Sequence, residues 1–340
     1  MENILVSVTR GPIQESCHRG HVAVVDTAGN VVSGFGDPNI VTFFRSAAKP
    51  IQILSLVESG ALKQFGFSPQ EVAIMAGSHT GEEFHIRTIQ NILGKIDLPV
   101  TALQCGIHIP LHRNMLADAN MEEEKKKFTP LHNNCSGKHV ATLALCVFHK
   151  WSTEDYLNLS HPVQQLNLKT ISGMSGIPEE KIHLGIDGCS APVYGIPLRA
   201  MAFAYARLTA PHKLSATRQA ACNYVSQAIM KHPEMSSGTG RLCARIMTAA
   251  KGKILAKLGA EAVYCLGLPR LGLGVAVKIE DGADRPIAPA VIEVIKQLDI
   301  LSAEELANLA DLHHPKITNH RDIVVGSINP VFVLQRQRQA

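Results

Sequence analysis

The sequence lacks several patterns that would each indicate a particular class of protein. It has no C-x-x-C pair, no internal repeat and no low-complexity tract. It also has no basic stripe with interleaved aromatic residues, so we expect no nucleic-acid partner. The longest strongly apolar stretch, residues 140–148, is far too short to span a bilayer, so we expect no membrane association. The N-terminus lacks the basic and long apolar regions of a signal peptide, and the expected compartment is the cytoplasm.

The composition favours a compact protein that acts on a small molecule. The 340 residues are 46% hydrophobic and 18% charged, which suffices for a sizeable core in one large domain or two closely packed ones. The net charge of +4 is only mildly basic. Eight cysteines are scattered along the chain and are expected to be reduced thiols, some of them available as metal ligands. We therefore expect a small-molecule substrate as the partner.

Strand signals gather at the two ends of the chain, and helical signals lie between them. Alternating apolar residues around glycine-containing turns predict two hairpins, in residues 22–33 and 262–279. Ser68 and Glu71 predict a capping box at a helix start. Apolar residues at helical spacing predict four longer helices, in residues 81–93, 140–148, 197–207 and 217–231.

This order of elements predicts an α+β protein. We expect an antiparallel sheet built from N- and C-terminal strands, covered by helices, with a mainly helical second lobe. The prediction is a single domain over residues 1–340, with the sheet drawn from about 1–45 and 255–285 and the helical lobe at about 60–250. The tail after about residue 286 is assigned no role.

Ser46 and Lys49 are the first candidate catalytic pair. Residues 44–50 read as a helix start, which places Ser46 near the helix N-terminus and Lys49 on the same face. A serine hydroxyl needs a base to remove its proton, and a buried lysine of lowered pKa can be that base. The S-x-x-K spacing is a signature of class A β-lactamases and penicillin-binding proteins. About one or two chance matches are expected in a chain of this length, but this match is the only one.

Ser78 and Lys257 form a second candidate pair. Ser78 lies in a loop of small residues, 75–81, where a reactive hydroxyl could be exposed. Lys257 begins the only K-x-G sequence and leads into the C-terminal hairpin, a place similar to that of the K-T-G box in penicillin-recognising enzymes. Either feature alone is most often an ordinary loop serine or a surface lysine.

Two polar segments predict a metal site. Cys135 precedes an apolar helix, and Cys189 follows a strand-like run. Their thiolates could bind zinc, with further ligands or close neighbours of the metal drawn from Asp187, His139 and His132. The competing interpretation is that both cysteines are buried structural residues.

Taken together, these segments resemble the rhizobial-type L-asparaginases, a third class whose fold is similar to that of the serine β-lactamases and glutaminases. The resemblance covers roughly residues 5–285. Several blocks in register are far more specific than any one of them. In order, the blocks are ESCHRG (15–20), RSAAK (45–49), GSHTGE (77–82), CGIH (105–108), NNCSGKH (133–139), DGCSAP (187–192), KLGAE (257–261) and VKIEDG (277–282).

The resemblance implies an activity and a set of catalytic residues. It implies two Ser–Lys tandems, carried here by Ser46/Lys49 and Ser78/Lys257. We expect hydrolysis of L-asparagine to L-aspartate and ammonia, with Ser46, deprotonated by Lys49, attacking the side-chain amide carbon. Backbone N–H groups near Ser46 would hold the oxyanion. Ser78 and Lys257 would relay the proton to the departing ammonia and activate the deacylating water.

The resemblance also implies a cofactor and an assembly. A zinc ion would be held by Cys135, Lys138 and Cys189 with water, and the protein would be a homodimer. Zinc would organise the pocket and anchor the charged end of the substrate. The residues expected to bind substrate are Arg45, His79, Asn134 and Asp187.

Other interpretations stay open at this point. The nearest enzymatic alternatives are a cytosolic β-lactamase or penicillin-binding-like hydrolase and a glutaminase. An alternative of another class is a catalytically inactive protein that senses zinc or thiol oxidation. Retention of asparagine hydrolysis in reductant, with loss on Ser46→Ala, would argue against such a sensor.

Overall fold

The computed structural model describes residues 3–111, 123 and 125–336. The chain forms two compact units, each assembled from discontinuous segments. The first unit comprises Met1–Ala47, Ile196–Ala210 and Arg245–Ala340. The second unit comprises Ala48–Gly195 and Pro211–Ala244.

The strands are short except for the one that spans Ile13–Asp26. In chain order they are β1 (Ile4–Arg10), β2 (Ile13–Asp26), β3 (Val31–Phe35), β4 (Val41–Phe43), β5 (His183–Ile186), β6 (Pro192–Pro197), β7 (Leu255–Gly259), β8 (Val263–Leu268), β9 (Leu273–Ile279), β10 (Lys316–Thr318), β11 (Val324–Pro330) and β12 (Gln335–Arg336).

Within the described residues, the first unit is built on a nine-stranded sheet. Its order is β10-β11-β1-β2-β9-β8-β7, and β3 pairs with both β2 and β12. Neighbouring strands run antiparallel, and β2 pairs with β9 from Gly20↔Ile279 to Asp26↔Leu273. N-terminal and C-terminal segments therefore share one sheet, and the predicted α+β fold class is confirmed.

Both predicted hairpins are present. Strands β2 and β3 pair around the turn that follows Asp26, and β8 and β9 pair from Val263↔Lys278 to Leu268↔Leu273. The tail that the sequence left unassigned also contributes to the sheet, because β11 pairs with β1. Its helix Ile287–Gln297 packs against β1, β9 and β11.

The centre of the sheet is buried on both faces. All six residues of β8 are buried, although successive side chains of a strand point to opposite faces. The helix Leu198–Thr209 packs against β2, β8 and β9. It approaches so closely that a Cβ at Gly274 would lie 1.9 Å from the carbonyl oxygen of Ala202, so only glycine fits there.

The second unit is mainly helical. Ser68 caps the helix Pro69–Met75, and both bonds of the predicted capping box are formed with Glu71. In addition, β5 and β6 form a small antiparallel hairpin. Among the described residues, the other α-helices of this unit are Lys49–Gln52, Leu54–Ser59, Ala61–Phe65, Glu83–Lys95, Ser136–His149, Pro162–Ser175, Ala216–Lys231 and Pro233–Ser237.

The remaining α-helices of the described residues belong wholly or partly to the first unit. Ala303–Ala307 and Ala310–His313 belong to the first unit, and Leu242–Ala250 has residues in both units. In residues 3–111, 123 and 125–336, no helix has both the length and the apolar character needed to cross a membrane.

Candidate active site

Ser46 lies in a single 3₁₀ turn, Arg45–Ala48, which runs directly into the short helix Lys49–Gln52. The sequence predicted a helix start here, and the structure has a tight turn followed by a helix whose first turn contains Pro50. Proline is tolerated there because its missing N–H would have no partner within the helix. Ser46 and Lys49 therefore occupy consecutive helical turns.

The turn that carries Ser46 is held firmly within the first unit. Arg45 has a φ of 49°, in the left-handed region that residues with a Cβ rarely adopt. The hydroxyl of Tyr205 donates a hydrogen bond to the carbonyl of Ala47 at 2.8 Å. The buried ring of Tyr205 also packs against Phe44, with the ring centroids 6.2 Å apart. These contacts restrain the backbone on both sides of Ser46.

In the second unit, Lys49 and Ser78 are in direct contact. Lys49 is only 1% exposed. Its Nζ donates a hydrogen bond to the Oγ of Ser78 at 2.8 Å and another to the backbone carbonyl of Asn134 at 3.3 Å. The structure thus places Lys49, from the first predicted pair, in contact with Ser78, from the second predicted pair.

Ser78 is fixed by its backbone. Its N–H donates to the carbonyl of Ser236 at 2.8 Å. A Cβ on the preceding residue, Gly77, would lie 2.5 Å from that same carbonyl oxygen, so glycine is required for the close approach. The predicted small-residue loop is therefore a packed and ordered element.

His79 follows Ser78 and is fully buried. The N–H of Gly81 donates to its Nδ1, so Nε2 carries the proton and donates to the Oγ of Ser136 at 2.8 Å. Ser136 in turn donates to the carbonyl of Leu131. Burial holds the pKa of His79 well below its usual range, so the ring is neutral. Both ring nitrogens are used by protein partners, which leaves neither of them for the predicted contact with substrate.

Lys257 lies on β7 in the first unit and is 1% exposed. It pairs with Cys265 of β8, whose pKa is raised by burial, and its Nζ donates to the carbonyl of Leu258 at 2.7 Å. A Cβ on Gly259 would lie 3.1 Å from the carbonyl oxygen of Phe44. The end of β7 therefore abuts the segment that leads into Ser46.

Three candidate metal ligands converge in the second unit. Cys135 precedes the helix Ser136–His149, Lys138 lies in its first turn, and Cys189 follows β5. The Nζ of Lys138 is 3.1 Å from the Sγ of Cys189, and the two thiols of Cys135 and Cys189 are within hydrogen-bonding distance. All three side chains are buried.

The electrostatics of this cluster favour a thiolate. A hydrogen bond from Cys135 and the nearby charge of Lys138 lower the pKa of Cys189 to about 4, although burial opposes the shift. The same hydrogen bond, together with burial, raises the pKa of Cys135 to about 12. Burial would lower the pKa of Lys138, but the charges of Cys189 and Cys135 raise it. The hydrogen bond from Cys135 and the charge of Lys138 therefore favour the thiolate form of Cys189.

A zinc ion fits the donor set that Cys135, Cys189 and the amino group of Lys138 provide together. Among the described residues, no three histidine, cysteine, aspartate or glutamate side chains are grouped so as to hold a metal. Two cysteine sulfurs and the nitrogen of Lys138 supply three donors, which leaves a fourth position of a tetrahedral site open. Binding would require the cysteines and Lys138 to be deprotonated.

The other metal-ligand candidates have different surroundings. Burial lowers the pKa of His139 to about 3, and its Nδ1 shares a 2.7 Å hydrogen bond with the hydroxyl of Tyr156. Its Nε2 has no hydrogen-bond partner in the described part of the chain. His132 accepts a hydrogen bond from the N–H of Thr129 at its own Nδ1. Asp187 is half-buried, and its charge contributes to the raised pKa of Lys138.

Sequence reasoning assigned no role to Asn133, which orders this region. Its Oδ1 accepts from the N–H of Cys135 at 2.9 Å, and its Nδ2 donates to the carbonyl of Cys105 at 2.7 Å. The first bond spans two residues and is the turn-forming pattern typical of asparagine, so this signal was available in the sequence. The backbone N–H of Asn134 donates to Nε2 of His108 at 2.9 Å, a contact that spacing alone could not reveal.

Comparison with known proteins gives the family. The sequence matches the profile of the L-asparaginase II family over residues 6–330. A search of curated proteins finds no significant match.

Among solved structures, the chain is similar to Mglu in its native form, with 14% identity, a TM-score of 0.45 and coverage of 84% of this chain and 66% of that one. It is also similar to a β-lactamase from Mycobacterium bovis (12% identity, TM-score 0.39, coverage 86% and 95%). A class C β-lactamase from Rhodobacter sphaeroides gives 13% identity, a TM-score of 0.43 and coverage of 82% and 94%. The chain thus spans just under two thirds of the length of Mglu. Because the family profile matches nearly the whole chain, this protein belongs to the L-asparaginase II family.

Proposed function

We propose that this protein hydrolyses L-asparagine to L-aspartate and ammonia. The observation that carries the proposal, within a chain of this family, is the buried amino group of Lys49 at 2.8 Å from the hydroxyl of Ser78. A lysine amine beside a serine hydroxyl is an arrangement that can activate an oxygen nucleophile, provided that the amine gives up its own proton first.

In the first half of the reaction, Ser46 is the nucleophile. Lys49, three residues further on, takes the hydroxyl proton as Ser46 attacks the side-chain amide carbon. Backbone N–H groups of the turn Arg45–Ala48 hold the oxyanion. The tightness of this turn, which Tyr205 braces through the carbonyl of Ala47, supports a preorganised role for it.

Ser78 and Lys257 transfer protons in both halves of the proposed reaction. The hydrogen bond between Lys49 and Ser78 offers a path by which the proton taken from Ser46 reaches the leaving ammonia. Ser78 and Lys257 then activate the water that hydrolyses the acyl-enzyme. Asparagine, water and the two products balance without any oxidant or reductant.

Zinc is the proposed cofactor, with Cys135, Lys138 and Cys189 as its ligands. When bound, it would supply a fixed positive charge that anchors the charged end of the substrate. The convergence of two thiols and an amine supports this proposal.

Arg45, Asn134 and Asp187 are the proposed substrate-binding residues. Arg45 adjoins the nucleophile and carries a charge that can pair with a carboxylate. For His79, the structure supports a positioning role, because its nitrogens tie the Ser78 loop to Ser136. A homodimeric state and a cytoplasmic location stay predictions.

The direct test is ammonia release from asparagine by the purified protein in reductant, with the metal content measured on the same sample. We expect turnover that is lost in Ser46→Ala and retained in Ser152→Ala, a matched change at a serine far along the chain. Turnover in Ser46→Ala equal to that of the wild type would contradict the proposed nucleophile. Parallel assays with glutamine and a chromogenic β-lactam test the alternative glutaminase and β-lactamase activities. A protein that binds zinc but turns over none of these substrates would be the sensor alternative.

A further inference from the structure

The turn between β7 and β8 contains an unusual stretch of backbone. Glu261 and Ala262 have φ angles of 58° and 54°, so two successive residues with a Cβ are left-handed. Tight turns normally place glycine or asparagine at such positions because a Cβ is unfavourable there. Neither is present here, so contacts from elsewhere must stabilise this conformation.

Lys278 of β9 provides one of these contacts. It is 9% exposed and pairs with Val263 across the β8–β9 ladder. Its Nζ donates a hydrogen bond to the carbonyl of Glu261, and the N–H of the next residue, Ile279, donates to the carbonyl of Ala262 at 3.2 Å. The carbonyls of both left-handed residues are therefore bonded to adjacent positions of one strand.

The carboxylate of Glu261, an exposed residue, lies close to the glycine that follows β9. A Cβ on Gly282 would lie 2.6 Å from the Oε2 of Glu261. Burial lowers the pKa of Lys278, as expected for an amino group enclosed among strands. Without Lys278, the carbonyl of Glu261 would lose the hydrogen bond from this amino group.

The position of this turn connects it to the proposed chemistry. Lys257 and Gly259 are the third and last residues of β7, immediately before the turn. Gly259 packs so closely on Phe44 and Arg45 that a Cβ would lie 3.1 Å and 3.3 Å from their nearest atoms. Any relaxation of the turn would therefore move the end of β7 against the segment that precedes Ser46.

We propose that Lys278 is a positioning residue for the hydrolysis: by holding the carbonyl of Glu261 in the turn that contains the two left-handed residues, it sets the end of β7 and thereby the location of the Lys257 side chain. The inference rests on the proposed function, in which Lys257 transfers protons. Lys278 itself touches no reacting atom in this scheme. A displacement of a catalytic group by about 1 Å can cost on the order of 10²-fold in rate.

The test combines Lys278→Met with Ala262→Gly. Lys278→Met should lower kcat for asparagine by about 10- to 100-fold with KM within about twofold, because orientation is lost and not binding. Glycine adopts the left-handed conformation without strain. Ala262→Gly alone should therefore stay within about threefold of wild type, and in the Lys278→Met background it should restore most of the lost kcat.

Lys296→Met is the matched control, because it removes an exposed lysine of the same unit. A Lys278→Met variant that behaves like this control would overturn the proposal. The proposal would also be overturned if Lys278→Met lowered kcat equally with and without Ala262→Gly. The lysine would then act independently of the turn. A raised KM at unchanged kcat would show that Lys278 binds substrate instead.

A measurement without any activity assay separates this inference from the proposed function. Amide hydrogen exchange in Lys278→Gln should be faster over residues 259–263 than in wild type, while β2 is unchanged. Unaltered exchange there overturns the inference, even if Lys278→Met fails to fold. Full activity in Lys257→Ala would instead refute the proposed proton relay, and the exchange result would still decide whether Lys278 holds the turn.

Discussion

The Nζ of Lys49 lies 2.8 Å from the Oγ of Ser78, although the two residues are 29 positions apart in the chain. The sequence pairs Lys49 with Ser46 by its spacing, and the structure adds a second hydroxyl to the same amine. The lysine that the proposed reaction assigns to Ser46 is therefore in contact with Ser78.

The first prediction concerns Ser46 and Lys49 as a unit. Ser46→Ala and Lys49→Ala should each lower kcat by on the order of 10³-fold or more, and the double variant should lose little further, because neither residue works without the other. Lys63→Ala, at an exposed lysine, is the control. Steady-state ammonia release checks the prediction, and near-wild-type turnover in either single variant would refute it.

The second prediction concerns the contact between Lys49 and Ser78. Ser78→Ala should lower kcat by about 10²- to 10⁴-fold, the range typical of a lost proton-transfer group. The double variant Lys49→Ala/Ser78→Ala should lose much less than the product of the two single losses. Ser160→Ala is the control. Fully multiplicative losses in the same assay would mean that the two groups act separately.

The third prediction concerns the metal. Cys135 and Cys189 come from segments far apart in sequence, and both thiolates are needed to close the site. Replacing either with alanine should empty the zinc site, while Cys17→Ala, in the other unit, should leave it filled. Elemental analysis of the purified variants is the measurement, and full zinc occupancy in Cys189→Ala would show that the ligand set is misassigned.

The fourth prediction concerns substrate choice. If Arg45 or the zinc anchors the charged end of asparagine, glutamine carries its amide carbon past the nucleophile by about 1.5 Å, one bond length. A misplacement of that size can cost on the order of 10²-fold. We therefore expect asparagine to exceed glutamine by at least that factor in kcat/KM, and propionamide to be poor. Equal rates of ammonia release from asparagine and glutamine would place the anchor elsewhere.

The fifth prediction concerns Glu82, which ties the Ser78 loop to Thr239. Its Oε2 accepts hydrogen bonds from the Thr80 hydroxyl at 2.7 Å and the Thr239 N–H at 3.0 Å. Burial opposes the shift, but these bonds lower the pKa of Glu82 below its usual value of 4.5. A lowered folded-state pKa means that the stabilisation is full above about pH 4.5 and is lost as the pH falls through the folded value.

Glu82→Gln should accordingly lower Tm at pH 7, and its deficit relative to wild type should shrink as the solution is acidified below pH 4.5. Glu83→Gln is the matched control, because Glu83 is a largely exposed neighbour. Thermal unfolding monitored by circular dichroism at a series of pH values is the measurement. A Tm deficit independent of pH would mean that the charge of Glu82 is not what stabilises the loop.

Local elements could be predicted from the sequence because their causes are local. The capping box at Ser68 and Glu71 depends on residues three positions apart, and the β2–β3 and β8–β9 hairpins follow from alternation around short turns. The tail after residue 286 was missed because β11 pairs with β1 at the opposite end of the chain. A local sequence pattern does not show which distant strand will pair with a segment.

The same division holds for the candidate site. The sequence by itself determined which residue types could carry chemistry, through the S-x-x-K spacing and the cysteine segments, because nucleophiles, bases and metal ligands are chemically few. Only the tertiary structure decided that Lys49 meets Ser78, that Lys138 meets Cys189, and that both nitrogens of His79 are occupied. These contacts depend on burial and on close packing between distant segments, and neither is a property of any single stretch of chain.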